Sequence, residues 1–210
     1  MLPSTLPLFP LPSVVLFPNV FLPLHIFEPR YRQMVTDSLA GDRIIGMVLP
    51  QTTESEGEGR PATYEVGCAG LITHVERLAD GRFNIILRGF EKFRIVGEEA
   101  PSSEVLYRRA LVAPLGDELP EPDRLALRKE RRRLEALLAP SDDPAEATKL
   151  PAAMDDEDLV NTLAQYLQFD PLERQALLER VGALARCRSM IELLEMKALD
   201  RGPSGPVTLH

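Results

Sequence analysis

The segment "LPLHIFEPRYRQMV" holds the densest set of reactive side chains in the sequence. His25, Glu28, Arg30, Tyr31 and Arg32 fall within eight residues, directly behind an apolar run. A histidine and a carboxylate at this spacing could form an acid–base pair. A covalent mechanism also needs a nucleophile beside its base, and the segment contains no serine, cysteine or lysine. We therefore predict a structural strand-to-helix junction, some of whose side chains line a recognition surface.

The other patterns that could support catalysis or metal binding are weak. The sequence has no GxxxxGK[ST] phosphate loop, no GxSxG nucleophile motif and no HExxH metal motif. Ser204, between Pro203 and Gly205, superficially resembles the nucleophile motif of Ser-Lys proteases, but it lies in a glycine- and proline-rich tail without a positioned base. Cys68 and Cys187 stand alone and are predicted to be small buried residues. We predict no catalytic residue, no metal site and no cofactor.

The charge of the protein argues against nucleic acid as its partner. The formal net charge is −8, which repels a polyphosphate at long range. One dense basic cluster, "RKERRR" at 128–133, could contact phosphate or could form the solvated face of a helix, and we favour the solvated face. No apolar run approaches the roughly 18 residues of a membrane helix, and the N-terminus lacks a basic signal region. The sequence therefore predicts a cytoplasmic protein without a membrane partner.

The first half of the sequence is predicted to be rich in strands. The runs "TLPLFPL" and "VVLFPNVFLPLHIF" are interrupted by prolines, which confines such strands to edges, ends or bulges. "RIIGMVL" is a further strand, and "TYEVGCAGLITHVERL" and "RFNIILRGFEKFRIVGEE" form a hairpin through "ADG". "VLYRRALVAPL" supplies the last strand, and residues 50–61 form a mobile surface loop. This pattern favours a small, strongly bent, mostly antiparallel β-barrel.

One early helix is predicted to interrupt the strands, from Pro29 to a stop at Gly41. Its apolar stripe consists of Tyr31, Met34, Val35 and Leu39. On its polar side, Glu28 and Arg32 have the i, i+4 spacing of an ion pair.

The second half is predicted to be a helical bundle. Helices are expected over "DRLALRKERRRLEALLAP", "DLVNTLAQYLQF", "DPLERQALLERV" and "LARCRSMIELLEMKALD", with an acidic connector from Ser141 to about Asp158. Asp170 and Glu173 have the spacing of a capping box. The predicted class is α+β, with a β-barrel domain at 1–116, a helical bundle at 117–202 and a flexible tail at 203–210.

Three stretches carry a resemblance to a known family. They are "LPLFPLPSVVLFPNVFLPLHIFEPRYRQMV", "AGDRIIGMVL" and "YEVGCAGLITHVERLADGRFNIILRGFEKFRI", supported by "LQFDPLERQALLE" in the helical half. Together they resemble the N-terminal substrate-binding domain of ATP-dependent Lon proteases, over about residues 5–200. The resemblance implies a PUA-like β-barrel with a helical extension. The ATPase and protease modules of that family have no counterpart in this sequence, so it resembles a stand-alone substrate-binding domain.

The resemblance implies a non-catalytic module that binds an unfolded or tagged polypeptide, or a protease partner. Proline-limited strand edges beside aromatic residues could take an extended peptide, which directs attention to residues 14–27 and to the loop 50–61. We predict that substituting Phe17 or Phe27 by Asp abolishes binding without unfolding the protein. RNA binding by a PUA-like barrel and an enzyme of unrecognised type are the alternatives. The predicted peptide-binding residues are Phe17, Phe21, His25, Phe27, Glu28, Arg30 and Tyr31.

Overall fold

The protein folds into two compact units, Met1–Gly116 and Asp117–His210. The computed structural model describes residues 1–51, 61–117, 119–138 and 154–201. Most of the predicted loop 50–61, most of the acidic connector and the tail with Ser204 lie outside the described residues.

Six strands and one helix make up the described residues of the first unit. Their bounds are β1 Thr5–Pro10, β2 Phe21–Ile26, α1 Pro29–Ala40, β3 Ile44–Val48, β4 Val66–Arg77, β5 Phe83–Glu98 and β6 Arg108–Pro114. All strand pairs are antiparallel except β1 with β3. The predicted α+β class and the mostly antiparallel character of the sheet are confirmed.

Five of the six strands close into a ring in the order β5-β4-β3-β1-β6, with β6 returning to β5. The inside of the ring is filled by apolar side chains from every strand of it: Leu6, Leu8, Val48, Ala69, Phe93, Ala110 and Val112. β2 lies outside the ring and pairs with the first half of β5, from Phe21 opposite Arg88 to Ile26 opposite Phe83. β6 pairs with the second half of β5, from Phe93 to Glu98. β5 is therefore long enough to pair with β6 inside the ring and with β2 outside it.

The segment before β2 differs from its prediction. Residues 14–20 are not a strand, and β2 begins only at Phe21. Pro18 has no amide hydrogen to donate to a ladder, and Asn19 has a left-handed φ of 61°. The segment instead crosses β5 at Gly89, whose carbonyl accepts from the Asn19 amide at 2.9 Å and whose amide donates to the Val20 carbonyl at 2.8 Å. This crossing buries Phe17.

Helix α1 confirms its predicted start and stop. Pro29 occupies the first turn, and the amide of Gly41, the C-cap residue, donates to the Ser38 carbonyl at 3.1 Å. Tyr31, Met34 and Val35 are buried, as the stripe predicts, whereas Leu39 is only half-buried. The helix thus packs one side on the barrel and presents the other to solvent.

In the second unit the structure describes four helices, namely α2 Glu121–Leu138, α3 Asp156–Tyr166, α4 Pro171–Glu179 and α5 Gly182–Arg201. In α2, Leu127 and Leu134 are buried, whereas Leu137 is exposed. The predicted capping box at α4 is present: Asp170 accepts from the Glu173 amide and Glu173 accepts from the Asp170 amide, both at 2.8 Å. None of the helices in the described part of the chain is long and apolar enough to cross a membrane.

A fully buried arginine organises the second unit. The Arg186 guanidinium donates to Asp117 at 2.7 Å, to Asn161 at 2.5 Å and to the Leu177 carbonyl at 3.2 Å. Asp117 also accepts from the amide of Gly182, the first residue of α5, at 2.8 Å. A buried charge is tolerated only when it is paired and hydrogen-bonded in this way.

The prediction that both cysteines are buried is confirmed, and both are free. In the second unit, burial raises the pKa of Cys187 to about 12. Its thiol is therefore protonated at neutral pH and unreactive.

Candidate functional site

The outer surface of three adjacent strands, β2, β5 and β4, forms the most distinctive exposed surface of the first unit. Its side chains stand in three rows set by the strand register: Phe21–Arg88–Leu71, Pro23–Ile86–His74 and His25–Asn84–Glu76. We call these nine residues the β2–β5–β4 face. On β5, the opposite side of the strand, Phe83, Ile85 and Leu87, is buried. Strand alternation thus commits one side to the interior and the other to solvent.

A β-bulge in β4 shapes the middle of the face. The register of β4 against β5 shifts between Ile72 and His74, so that Thr73 is the extra residue. The Thr73 hydroxyl donates to the Ile86 carbonyl at 3.1 Å, which anchors the bulge on β5. The shift brings His74 opposite Ile86, where it lines a cleft.

A chain of hydrogen bonds runs along the row His25–Asn84–Glu76 of the face. Arg82 Nη1 lies 3.1 Å from His25 Nε2, and because arginine only donates, Nε2 must accept. The imidazole proton is then on Nδ1 and is donated to Asn84 Oδ1 at 2.7 Å. Asn84 Nδ2 donates in turn to Glu76 at 2.7 Å. The network fixes His25 in one neutral tautomer and one orientation.

Arg82 is itself held by the turn that carries it. Its guanidinium pairs with Asp80 at 2.6 Å. Hydrogen bonds from the Arg82 backbone and side chain lower the pKa of the Asp80 carboxyl. The β4–β5 turn therefore positions the donor for His25.

The middle of the face is a shallow cleft of about 450 Å³. It is lined by Pro23, His25, His74, Glu76, Asn84 and Ile86. Two exposed aromatic side chains flank it: Phe21, 51% exposed, at one end and Phe27, 60% exposed, at the other. The Phe27 ring stacks on His25 with a centroid separation of 6.2 Å. The cleft therefore combines apolar walls with fixed polar groups.

This arrangement is suited to binding. The nine residues of the face include no serine, cysteine or lysine that could act as a nucleophile, and the one hydroxyl beside them, that of Thr73, is engaged with the backbone. Among the described residues, no group of three or more His, Cys, Asp and Glu side chains could hold a metal ion. Fixed donors and acceptors beside apolar side chains can instead orient and hold a ligand.

The structure separates the predicted site residues into two groups. Phe21, His25 and Phe27 are exposed on or beside the face, and at the start of α1 Arg30 is exposed and Glu28 is half-buried. Phe17, 0% exposed, and Tyr31, 6% exposed, lie in the interior. The structure therefore places these two side chains in the core and not on an exposed surface, and the binding role of the seven residues stays a prediction.

Two packing contacts explain why Phe17 and Tyr31 are buried. Phe17 belongs to the segment that crosses Gly89, which turns its ring inward. Tyr31 packs on Phe9 with a centroid separation of 4.3 Å, and burial raises its pKa. The prediction that Tyr31 belongs to the apolar stripe of α1 is correct.

The ion pair predicted at the start of α1 is also different. Glu28 pairs with Arg30, at 2.8 Å, and not with Arg32. The Arg32 guanidinium instead lies against Gly81 in the β4–β5 turn, with its Cζ 3.2 Å from where a Cβ at position 81 would stand. Tertiary packing overrides the helical spacing here.

Sequence reasoning missed the β4 and β5 side of the face, including His74, Glu76, Asn84 and Ile86. The available signal was Ile86, an apolar residue on the polar side of an alternating strand. The bulge that brings His74 into register has no clear sequence signal.

Comparison with known proteins identifies the family. The family model described as the ATP-dependent protease La (LON) substrate-binding domain matches residues 5–196. The chain belongs to this family. The resemblance carried by the sequence motifs is therefore confirmed, and it covers both units.

Relatives and solved structures agree with this assignment. The chain is 28% identical to Lon protease 2 of Myxococcus xanthus over 203 residues, which are 93% of this chain and 24% of that protein. Its fold is similar to the Lon N-terminal domain protein from Xanthomonas campestris, with a TM-score of 0.61, 22% identity and coverage of 90% of this chain and 98% of that one. The N-terminal domain of Mycobacterium avium complex Lon protease gives a TM-score of 0.67 at 16% identity, covering 91% of this chain and 98% of that one. At these identities the structures establish the fold alone, and the chain spans about a quarter of the length of the curated relatives it matches.

Proposed function

We propose that this Lon substrate-binding domain is a non-catalytic, cytoplasmic module that captures unfolded or tagged polypeptide through the β2–β5–β4 face. The observation that carries the proposal is the pair of exposed rings, Phe21 and Phe27, at the two ends of a cleft with a fixed polar network. Large exposed apolar side chains grouped around a cleft are typical of binding surfaces. An unfolded chain supplies the complementary apolar side chains.

The position of β2 supports an extended ligand. Among the described strands, β2 pairs with β5 only, so it is the edge of the sheet. An extended peptide lying along such an edge can direct alternate side chains into neighbouring pockets. Pro23 cannot donate a backbone hydrogen bond, which limits unrestricted sheet extension by other chains. Side-chain contacts with Ile86 and the two phenylalanines would then contribute most of the affinity.

The basic cluster at 128–133 lends no support to RNA as the ligand. Arg131 pairs with Glu135 at 2.8 Å and with Asp156 at 2.6 Å. Arg128 lies 3.6 Å from Asp156, and Arg133 pairs with Glu195 at 2.5 Å. These three guanidinium groups would have to exchange carboxylates for phosphates, which reduces the net gain from binding a nucleic acid.

The proposal is tested by fluorescence anisotropy with a labelled unfolded polypeptide and a labelled single-stranded RNA, at low and moderate salt. We expect saturable polypeptide binding that changes little with salt, because apolar contacts are not screened. The double variant Phe21→Ser/Phe27→Ser should weaken it about tenfold or more, since each ring contributes on the order of 1 kcal/mol or more at an interface.

A matched control is available at the other end of β5. Val96 and Leu111 are also exposed apolar residues of the first unit, so Val96→Ser/Leu111→Ser removes a similar apolar area away from the cleft. Retention of full affinity in the Phe21/Phe27 variant, or equal loss in the control, would reject the face. Saturation with the RNA alone, lost at moderate salt, would reject polypeptide capture itself.

A further inference from the structure

A second cleft lies on the other side of the β4–β5 hairpin, against α1. It has a volume of about 310 Å³ and is lined by Arg32, Gln33 and Thr36 of α1 and by Arg77, Gly81 and Phe83 of the hairpin. Pro29 completes its wall. The segment from His25 to Pro29, with the exposed Phe27 between them, joins the β2–β5–β4 face to this second cleft along the chain.

The two arginines in the cleft have no carboxylate partner in the part of the chain that the structure describes. Among the described residues, neither Arg32 nor Arg77 forms an ion pair. The acidic groups near the cleft in sequence are engaged elsewhere: Glu28 with Arg30, Asp80 with Arg82, Glu76 as acceptor from the Asn84 side chain, and Asp37 as acceptor from the Tyr107 hydroxyl. The cleft therefore concentrates positive charge on a protein whose net charge is −8.

The polar neighbours of these arginines are already satisfied. The side chain of Gln33 donates through Nε2 to the Glu104 carbonyl at 2.7 Å and accepts at Oε1 from the Leu106 backbone amide at 2.9 Å. The Thr36 hydroxyl donates to the Arg32 carbonyl at 2.8 Å. The guanidinium groups are thus the donors that remain for a ligand.

Both guanidinium groups are held in place by packing. Arg77 lies over the Phe83 ring, 5.8 Å from its centroid, and Arg32 lies against Gly81. A stacked or packed guanidinium keeps its N–H edge for a planar anion, and the match to a carboxylate is bidentate. Because little side-chain freedom is lost on binding, such a site favours one oriented carboxylate over diffuse attraction.

We propose that the Arg32–Arg77 cleft binds a carboxylate of the captured polypeptide, either an acidic side chain or the C-terminal carboxylate. The inference rests on the proposed function, because it assigns a chemical preference to the same ligand. Apolar residues of the ligand occupy the β2–β5–β4 face while its carboxylate is held on the far side of Phe27. Selection among unfolded chains then depends on an acidic group at a suitable distance from apolar ones.

The test uses three labelled versions of one apolar peptide with the 210-residue chain. The first has an internal Glu and an amidated C-terminus, the second has Gln in its place, and the third has Gln and a free C-terminal carboxylate. We expect the Glu peptide, the free-carboxylate peptide or both to bind about tenfold tighter than the amidated Gln peptide, the size expected of a charge-assisted hydrogen-bonded pair. Which of the two gains affinity identifies the source of the carboxylate.

Charge-matched variants assign the preference to the cleft. Arg32→Gln/Arg77→Gln should abolish the difference between peptides, and the single variant Arg77→Gln, at an exposed position, should reduce it without affecting folding. Arg94→Gln/Arg109→Gln removes the same charge from arginines that pair with Glu65 and Glu99, and should preserve the difference. These variants separate a built site from the long-range effect of net charge.

Four outcomes would overturn the inference. Equal binding of all three peptides by the unmodified protein would reject a carboxylate preference while leaving polypeptide capture intact. A preference that survives in Arg32→Gln/Arg77→Gln would move it to another site. Binding of inorganic phosphate can be followed by NMR of the arginine side chains. If phosphate saturates the cleft and the carboxylate peptides show no preference, the cleft is a phosphate site instead. If no peptide binds at all, both the inference and the proposed function fail.

Discussion

The Phe17 carbonyl oxygen lies so close to Gly89 that any Cβ at position 89 would overlap it. The ideal Cβ position is 2.7 Å from the Phe17 carbonyl carbon and 3.1 Å from the Cα of Pro18. These neighbours are backbone atoms and cannot move aside as a side-chain end could. The crossing of residues 14–20 over β5 therefore requires glycine at this position.

Gly89→Ala should accordingly destabilise the protein by about 2 kcal/mol or more, because the crossing segment must shift and uncover Phe17. Gly97, on the same strand, is the matched control, since a Cβ there meets nothing within 4 Å. Gly97→Ala should be neutral or slightly stabilising. Urea unfolding of both variants measures the difference, and equal stability of the two would contradict the close approach.

Phe17 and Phe27 should respond in opposite ways to substitution. Phe17→Ala leaves a cavity in the interior and should cost about 3–5 kcal/mol of unfolding free energy. Phe27→Ala removes a ring that is 60% exposed and should leave stability almost unchanged while weakening polypeptide binding. Denaturation and anisotropy on the same preparations separate the two effects. Loss of binding by Phe17→Ala in a fully folded state would restore Phe17 as a contact residue.

The fold was largely predictable because its signals are local. The alternation of Phe83, Ile85 and Leu87 identified β5 and its buried side, and Asp80-Gly81 identified the hairpin turn, where Gly81 has φ +80°. Pro29, Gly41 and Asp170 marked helix ends that the structure confirms. Each of these depends on residues within one element.

The candidate site was less predictable because it depends on register between distant segments. The meeting of His25 with Asn84 joins positions 59 residues apart. The burial of Phe17 follows from a chain crossing that apolar runs do not encode. The pairing of Glu28 with Arg30, and the placement of Arg32 on Gly81, follow from how α1 packs on the hairpin. Local spacing identified the strand-to-helix junction but not the ion pairing and the burial of individual side chains within it.

The buried arginine of the second unit should be far more sensitive than an exposed one on the same helix. Arg186→Ala removes the buried guanidinium that donates to Asp117 and Asn161, which should cost about 3–5 kcal/mol. Arg188 pairs with Glu130 at 3.3 Å and its side chain is 54% exposed, so Arg188→Ala should have little effect. Thermal unfolding followed by circular dichroism compares them, and similar melting temperatures for the two variants would reject a structural role for Arg186.

Tyr107 should make stability depend on pH at the alkaline end. Burial, reinforced by its hydrogen bond to Asp37, raises the pKa of Tyr107 from 10.0 to about 12. The folded state therefore holds this proton more tightly than the unfolded chain. The corresponding stability is fully present below pH 10 and is lost as pH rises toward about 12.

The Tyr107→Phe variant isolates this contribution from the lysines that titrate over the same range. Its unfolding free energy should fall less steeply with pH above 10 than that of the unmodified protein. Parallel pH profiles for the two proteins would show that Tyr107 ionises equally in the folded and unfolded states.

Because β2 lies outside the ring, the residues that close the barrel differ from the outward residues of β2 that can recognise a ligand. In a small β domain the same residues usually have to meet both requirements. The ring closes through β6, so the integrity of the barrel does not depend on the strand that carries Phe21 and His25. Sequence changes at the outward-facing positions of β2 can therefore accumulate at little cost to folding, whereas Leu22 and Ile26 of the same strand are buried. A lineage could retune what the domain recognises, one outward residue at a time, while the scaffold stays the same.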